Sequence, residues 1–424
     1  MEIRSLTTVP REDRSLIDLP VEMIYRIFDF CDVQTILHNV RQVCRTLYVH
    51  SNTYNRYSLI LNRENKETMK KISRLISPQS VVSLQIIHDA YFSGTVADFF
   101  LSIFNNCSFP RLQSLTVKWP ERGGLEDLLQ SLSPQSLIAL SVYYIRYSAD
   151  QWNDILNALI QYHIEKLSIQ NCDHSSKDSS WPLTNTLTYL HLNSCTYTEY
   201  LHILHQSPQL RTFVIDQCSM DYEIMCLSLP TSTSSFLLKS LIISQWCFTS
   251  EYFDLFISHL PSLRDLKLTS SRDQLDALFD GFFWEELISS KLPQLKHLQL
   301  LIFFDCRRSH VYTSLQSMIE PFRRPFWLVE KRWFVTCAYN PDQHSIILCT
   351  IHREIYGPEK CFVCEISSTD DQCRLTQGTN GQVPHTNDDK VKGKEFIIID
   401  IFTKSKQNSR LECEPREKEI LCMK

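Results

Sequence analysis

Glycine is scarce in this sequence, with eight residues in 424. Phosphate cradles, dinucleotide folds and nucleophile elbows all need glycine at fixed spacing so that backbone can approach a ligand. No GxxxxGKS/T, GxGxxG or GxSxG string occurs, nor the zinc-protease string HExxH. Basic surplus is missing too: 43 Lys and Arg stand against 48 Asp and Glu, for a net charge of −5. The pairs Arg307-Arg308 and Arg323-Arg324 are isolated, so no basic stripe suited to nucleic acid is expected. No apolar run reaches the length of a membrane span. The opening MEIRSLTTVPREDR is charged from residue 2 and lacks the apolar core of a signal peptide, so a cytoplasmic or nuclear location is expected. In that setting the sixteen cysteines read as reduced thiols rather than a disulfide framework. Ser, His and Asp are plentiful, but composition does not assemble a triad, and neither a catalytic residue nor a cofactor is expected.

What the sequence does have is repetition. The strings LQSLTV (from Leu112), LIALSV (Leu137), IEKLSI (Ile164), LTYLHL (Leu187), LRTFVI (Leu210), LKSLII (Leu238), LRDLKL (Leu263) and LKHLQL (Leu295) share one pattern, apolar-x-x-apolar-x-apolar. A weaker copy, VVSLQI, starts at Val81, and the other starts lie 23 to 32 residues apart. Leucine-rich repeats run about 20–29 residues per unit. Three consecutive copies continue to Cys172, Cys195 and Cys218, where such repeats carry Asn or Cys, so these thiols read as structural.

Between the strings lie segments of helical period: VADFFLSIF from Val96, DQWNDILNALI from Asp150, EYFDLFISHL from Glu251 and DQLDALFDGFFWEELI from Asp273. Strand, loop and helix units cannot bury their apolar faces singly, so they stack into a curved β/α solenoid, a horseshoe with parallel strands on its concave side. Alternation along each strand sends the leucines inward and leaves the intervening residues on the concave face. That face would carry Thr116 and Lys118, Ser141 and Tyr143, Ser168 and Gln170, His191 and Asn193, Val214 and Asp216, Lys267 and Thr269, and Gln299. Lys118, Tyr143, Gln170, His191, Asn193, Asp216 and Lys267 are the candidate substrate-binding residues. The face has no arginine cluster of the kind that reads phosphate.

Ahead of the repeats, DLPVEMIYRIFDF (Asp18–Phe30) carries two apolar stripes, where a surface helix needs one. Leu19, Met23, Ile27 and Phe30 form the first; Val21, Ile24 and Phe28 form the second. Pro20 suits a first helical turn, and Asp32 with Thr35 reads as the cap of a second helix carrying Val33, Ile36, Leu37 and Val40. A third helix follows with Val43, Cys44 and Leu47. Three short helices make a marginal core, so the leftover apolar surface should be covered by the solenoid's open end or by a separate protein.

Leu19-Pro20 followed by Glu22, then Ile27-Phe28, Val43-Cys44-Arg45 and Leu47, stand in the order and spacing of an F-box, which this stretch resembles over residues 14–60. Leu47 departs from the family, which often carries tryptophan there. An F-box followed by leucine-rich repeats resembles the substrate receptors of SCF-type cullin–RING ubiquitin ligases. The resemblance implies docking on a Skp-family adaptor, with Leu19, Pro20, Met23, Ile27, Phe28, Val43 and Cys44 as contact candidates.

From Phe326 the pattern changes to β-branched runs, WFVTCAY, HSIILCTIHREIY, KCFVCEIS and EFIIIDIF, broken by Asn340-Pro341-Asp342 and Gly357-Pro358. The expectation is α/β organisation throughout: an F-box at 14–60, a solenoid at 78–325, a C-terminal β extension at 326–402 with a mobile insert at 367–394, and a polar tail at 403–424. Cys349, His352, Cys361 and Cys364 are ligands of zinc type, but residues three apart on a strand point to opposite faces, so no metal site is expected. The expected function is that of a ligase substrate receptor which binds a protein substrate, not nucleic acid or membrane, and is itself no enzyme. The alternative is a leucine-rich-repeat binding scaffold without a ubiquitin role, its N-terminal helices capping the solenoid.

Overall fold

The computed structural model describes residues 16–62, 64–88, 94–104, 107–119, 125–132, 136–144, 160–170, 181–219, 236–247, 249–306, 315–340, 344–351 and 365–368. The chain divides into two units, Met1–Ser244 with His259–Leu263, and Gln245–Ser258 with Arg264–Lys424. Both mix helix and strand.

The first unit opens with three helical segments. Helix α1 is Val21–Phe28; α2 is Arg41–Val43, reached through a π-helical stretch Thr35–Val40; α3 is Arg45–Thr53. Pro20 stands at the head of α1, where it gives up no bond it could have made, and its carbonyl accepts from the amides of Met23 and Ile24 at 2.9 and 3.2 Å. Asp32 takes the Thr35 amide at 2.8 Å and the Thr35 hydroxyl at 2.7 Å, as a cap should. Cys44, fully extended, ends α2 and starts α3, its sulfur accepting the Leu47 amide at 3.5 Å. Ile24, Phe28, Val33, Ile36, Leu37 and Leu47 are buried among these helices.

Strands β1 (Tyr57–Leu61), β2 (Val81–Ile87), β3 (Ser114–Trp119), β4 (Ala139–Tyr144), β5 (Lys166–Gln170), β6 (Tyr189–Thr196), β7 (Thr212–Ser219) and β8 (Ser240–Trp246) lie side by side in chain order. Pairing from β1 through β7 is parallel throughout. Each repeated string supplies one strand, and the leading residue of each string from Leu112 to Leu238 is buried just before its strand begins. One joint recurs: two successive amides donate to a single carbonyl of the preceding string. Ile138 and Ala139 donate to Gln113, Glu165 and Lys166 to Ile138, Thr188 and Tyr189 to Glu165, Arg211 and Thr212 to Thr188, and Lys239 and Ser240 to Arg211. Strand β1 was not anticipated, because YSLIL lacks the leading leucine of the other copies; Tyr57, Leu59 and Leu61 nevertheless face inward in strict alternation.

The second unit holds β9 (Asp265–Arg272), β10 (His297–Asp305), β11 (Phe334–Asn340), β12 (Ser345–Ile351) and β13 (Glu365–Ser368), in the spatial order β9-β10-β12-β11-β13. β9 and β10 are parallel, and the remaining pairs are antiparallel. Three of the expected C-terminal β runs therefore do supply strands, whereas EFIIIDIF lies outside the described residues, as do most of 367–394 and all of 403–424. Helix Val96–Phe104 forms as its period predicts, and Ser250–Ile257 covers most of EYFDLFISHL; DQWNDILNALI is described only at Ile160. The Asp273 segment breaks in two, a 3-10 turn Ala277–Phe279 and a helix Gly281–Lys291. Asp276 and Asp280 each accept an amide two residues on, at 3.1 and 2.9 Å, and so start separate helical turns.

Candidate functional site

The two stripes of α1 part company. Ile24 and Phe28 enter the helical core, while Leu19, Met23 and Ile27 remain exposed. Val43, at the end of α2, is 71% exposed and Phe30 93% exposed, and Leu16, Ile17, Tyr48 and Val49 are exposed as well. Pro20 is exposed beside Leu19. One small helical domain thus closes its own core and still presents many large apolar side chains to solvent, a surface of the kind that partners cover. Arg41 lies 4.7 Å from the Tyr48 ring centroid and donates to its hydroxyl at 3.3 Å, which favours the phenolate and draws the Tyr48 pKa down.

Residues 16–59 match the family model of the F-box domain. No curated protein matches the chain. The F-box match ends inside β1, so the helical domain runs straight into the first strand.

Within the F-box, the seven adaptor-contact candidates fall into three groups. Leu19, Pro20, Met23, Ile27 and Val43 are exposed; Cys44 is half-buried and occupied as the cap of α3. Phe28 requires correction: at 1% exposure, with its ring edge-on to Tyr54 at 5.4 Å, it holds the core together and offers nothing to a docking partner. Leu47, at 3% exposure, also belongs to the core, so its departure from the family's tryptophan is an internal packing change. Sequence reasoning passed over Tyr48 and Val49, which follow the last apolar position of the pattern and carry no signal of their own.

Far from the F-box in sequence, the outward residues of the parallel strands form a polar row. Lys118 on β3 sits 4.8 Å from the ring centroid of Tyr143, its register partner on β4. Tyr143 pairs in register with Gln170 on β5. Ser168 Oγ and Gln170 Nε2 both lie 3.3 Å from His191 Nδ1 on β6, and His191 Nε2 lies 3.1 Å from Asp216 Oδ2 on β7. Ser244 on β8 donates to the other Asp216 oxygen at 3.3 Å. The Gln170 amide donates to Nδ1, which leaves Nε2–H to donate to Asp216. Asn193 is half-buried on the same face of β6. Lys267 is exposed on β9, in the second unit.

Ser168, His191 and Asp216 thus stand in line across three strands. Strand β5 is paired on both sides, with β4 and β6, so the backbone amides around Ser168 belong to the ladder and are not aimed at a developing oxyanion. Of the zinc-type set, Cys349 lies on β12, while His352, Cys361 and Cys364 lie outside the described residues. Of the three thiols expected to be structural, Cys195 and Cys218 are buried register partners on β6 and β7, and Cys172 lies outside the described residues. No helix among the described residues is long and apolar enough to cross a membrane.

Proposed function

We propose that the chain is the substrate-recognition subunit of an SCF-type E3 ubiquitin ligase, docking on a Skp-family adaptor through the F-box and holding a protein substrate on its parallel strands. The observation that carries this reading is the exposed stripe of Leu19, Met23 and Ile27, with Pro20 and Val43 exposed as well, on a helix whose other stripe, Ile24 and Phe28, is buried. Helices that served only to cap a sheet would have that stripe covered. Covering one leucine or methionine side chain contributes about 1.5–3 kcal/mol, so a few of them suffice for a stable complex. Phe28 and Cys44 act through position, fixing α1 and α3 beneath the contact surface.

The strands extend the reading. Repeated strings 23 to 28 residues apart from Leu112 to Leu238, each joined to the last by the same two-amide, one-carbonyl bond, support a leucine-rich-repeat solenoid. A receptor of this kind acts by proximity: it fixes substrate near a ubiquitin-charged enzyme brought by the cullin, and needs no catalytic residue of its own. It would work in the cytoplasm or nucleus.

Co-purification of the full chain with a Skp-family adaptor tests the reading, alongside a Leu19→Ala, Pro20→Ala variant checked by circular dichroism. Binding by the wild type and at least tenfold weaker binding by the folded variant is the expected result. A wild type that does not bind would return the chain to a binding scaffold without a ubiquitin role.

A further inference from the structure

We infer that the polar row on β3–β8 receives an extended segment of a protein substrate, laid across the strands, with a carboxylate at Lys118 and Tyr143 and a cationic side chain at Asp216. This deepens the receptor reading above and rests on it.

The two ends of the row are charged and oppositely so. Lys118 lies over an aromatic face, and among the described residues no carboxylate forms an ion pair with it. Asp216 is bonded by an imidazole and a hydroxyl, and no lysine or arginine among the described residues pairs with it. Arg56–Asp29 and Lys70–Glu67 in the same unit, by contrast, are each matched by an opposite charge at 2.9 Å. Lys118 and Asp216 therefore keep charge that a ligand of complementary pattern can use.

Between those ends stand Gln170, His191 and Asn193, all half-buried on the open face. Carboxamides offer a donor and an acceptor together, the pair that an extended backbone presents in return. Hydrogen bonds tie Gln170 to His191 and His191 to Asp216, so this part of the surface is ordered before anything binds, which lowers the entropy lost on binding.

The spacing sets the length. β3 and β7 are four inter-strand steps apart. At about 4.8 Å per step that is about 19 Å, which an extended chain at about 3.3 Å per residue covers in about six residues. The occupant thus carries an acidic and a basic residue about six positions apart. The open face of these strands carries two lysines, Lys118 and Lys166, and no arginine, too little positive charge to hold a phosphate-rich ligand or nucleic acid.

The test is selection of a randomised peptide display library on the purified full chain, with adaptor binding measured separately on the same preparation. Absence of adaptor binding would then sink the ligase reading, whereas the peptide result is read on its own and decides whether this face takes the charged segment. Enriched peptides are expected to carry Asp or Glu about six residues from Lys or Arg, always in one order. On a charge-reversed variant, Lys118→Glu with Asp216→Lys, that order should invert. In a milder variant, Lys118→Gln with Asp216→Asn, the wild-type peptides should bind roughly fivefold more weakly for each charge removed. No enrichment, enrichment without the charge pair, or an order unmoved by reversal overturns the proposal. Self-association of the chain that the reversal abolishes also overturns it, making the face a homodimer interface.

Discussion

The Tyr54 hydroxyl donates to the Asp29 carboxylate at 2.8 Å, and that one bond ties the end of α1 to the segment that leads from α3 into the first strand. Arg56 holds the other Asp29 oxygen at 2.9 Å, and Tyr25 meets Thr53 at 2.7 Å. Tyr54 stacks edge-on with Phe28 at 5.4 Å and with Tyr57 at 5.0 Å. The F-box is thereby joined to β1 by packed rings and bonded side chains.

Breaking this joint leaves the Tyr54 hydroxyl with the Arg56 carbonyl at 3.0 Å as its remaining acceptor and takes the carboxylate away from the Arg56 guanidinium. Asp29→Ala should lower stability by about 1–3 kcal/mol, and Tyr54→Phe, which removes donor and demand together, by about 0.5–1.5 kcal/mol. Urea denaturation of both variants checks the order; equal losses would show that the hydrogen bond is not what matters.

Restoring the family's tryptophan should harm this chain. Leu47 is buried where Ser51 bonds back to its carbonyl at 2.7 Å, and the site is closed on all sides. Leu47→Trp should cost about 1–3 kcal/mol through overpacking and leave adaptor affinity unimproved. A thermal melt beside a binding titration would decide it.

Gly281 starts a helix where a Cβ would lie 2.7 Å from the backbone of Pro321 and 2.9 Å from Phe322 N. Its carbonyl also accepts the Trp327 indole at 3.3 Å. Alanine is a better helix former than glycine, yet Gly281→Ala should destabilise by about 1–3 kcal/mol, because backbone on the far side cannot yield. An increase in melting temperature would refute the close approach.

Alkaline pH should loosen the F-box joint. Burial raises the Tyr57 pKa from 10.0 to about 12, and burial followed by the bond to Asp29 raises Tyr54 further. A phenol raised on folding contributes stability that is complete below the unfolded value near 10, and the contribution is lost as pH climbs through the folded value. Stability should therefore fall between pH 10 and about pH 12, followed by tyrosinate absorbance during denaturant titrations. Tyr57→Phe should flatten part of that fall.

Several of these features were written plainly in the residue order. The apolar-x-x-apolar-x-apolar strings set strand positions because a strand alternates faces every residue, and nothing distant can change which residues share a side. Leu-Pro, Ile-Phe and Val-Cys-Arg marked out the F-box for the same local reason, since caps and helical spacing act over a few residues. Burial was a different matter. Phe28 adjoins Ile27 in the chain and looks equally fit for a partner, yet only the arrival of Tyr54 from α3 sends one inward and leaves the other in solvent. That Ser168, His191 and Asp216 share one face followed from the strings, but not that they bond: with Ser244 they are 23 to 28 residues apart along the chain and meet only because neighbouring strands bring each repeat alongside the next. Local spacing fixes what each element is. Which side chains are covered, and which distant charges face one another, depends on the packing of elements against each other, and that is a property of the folded chain alone.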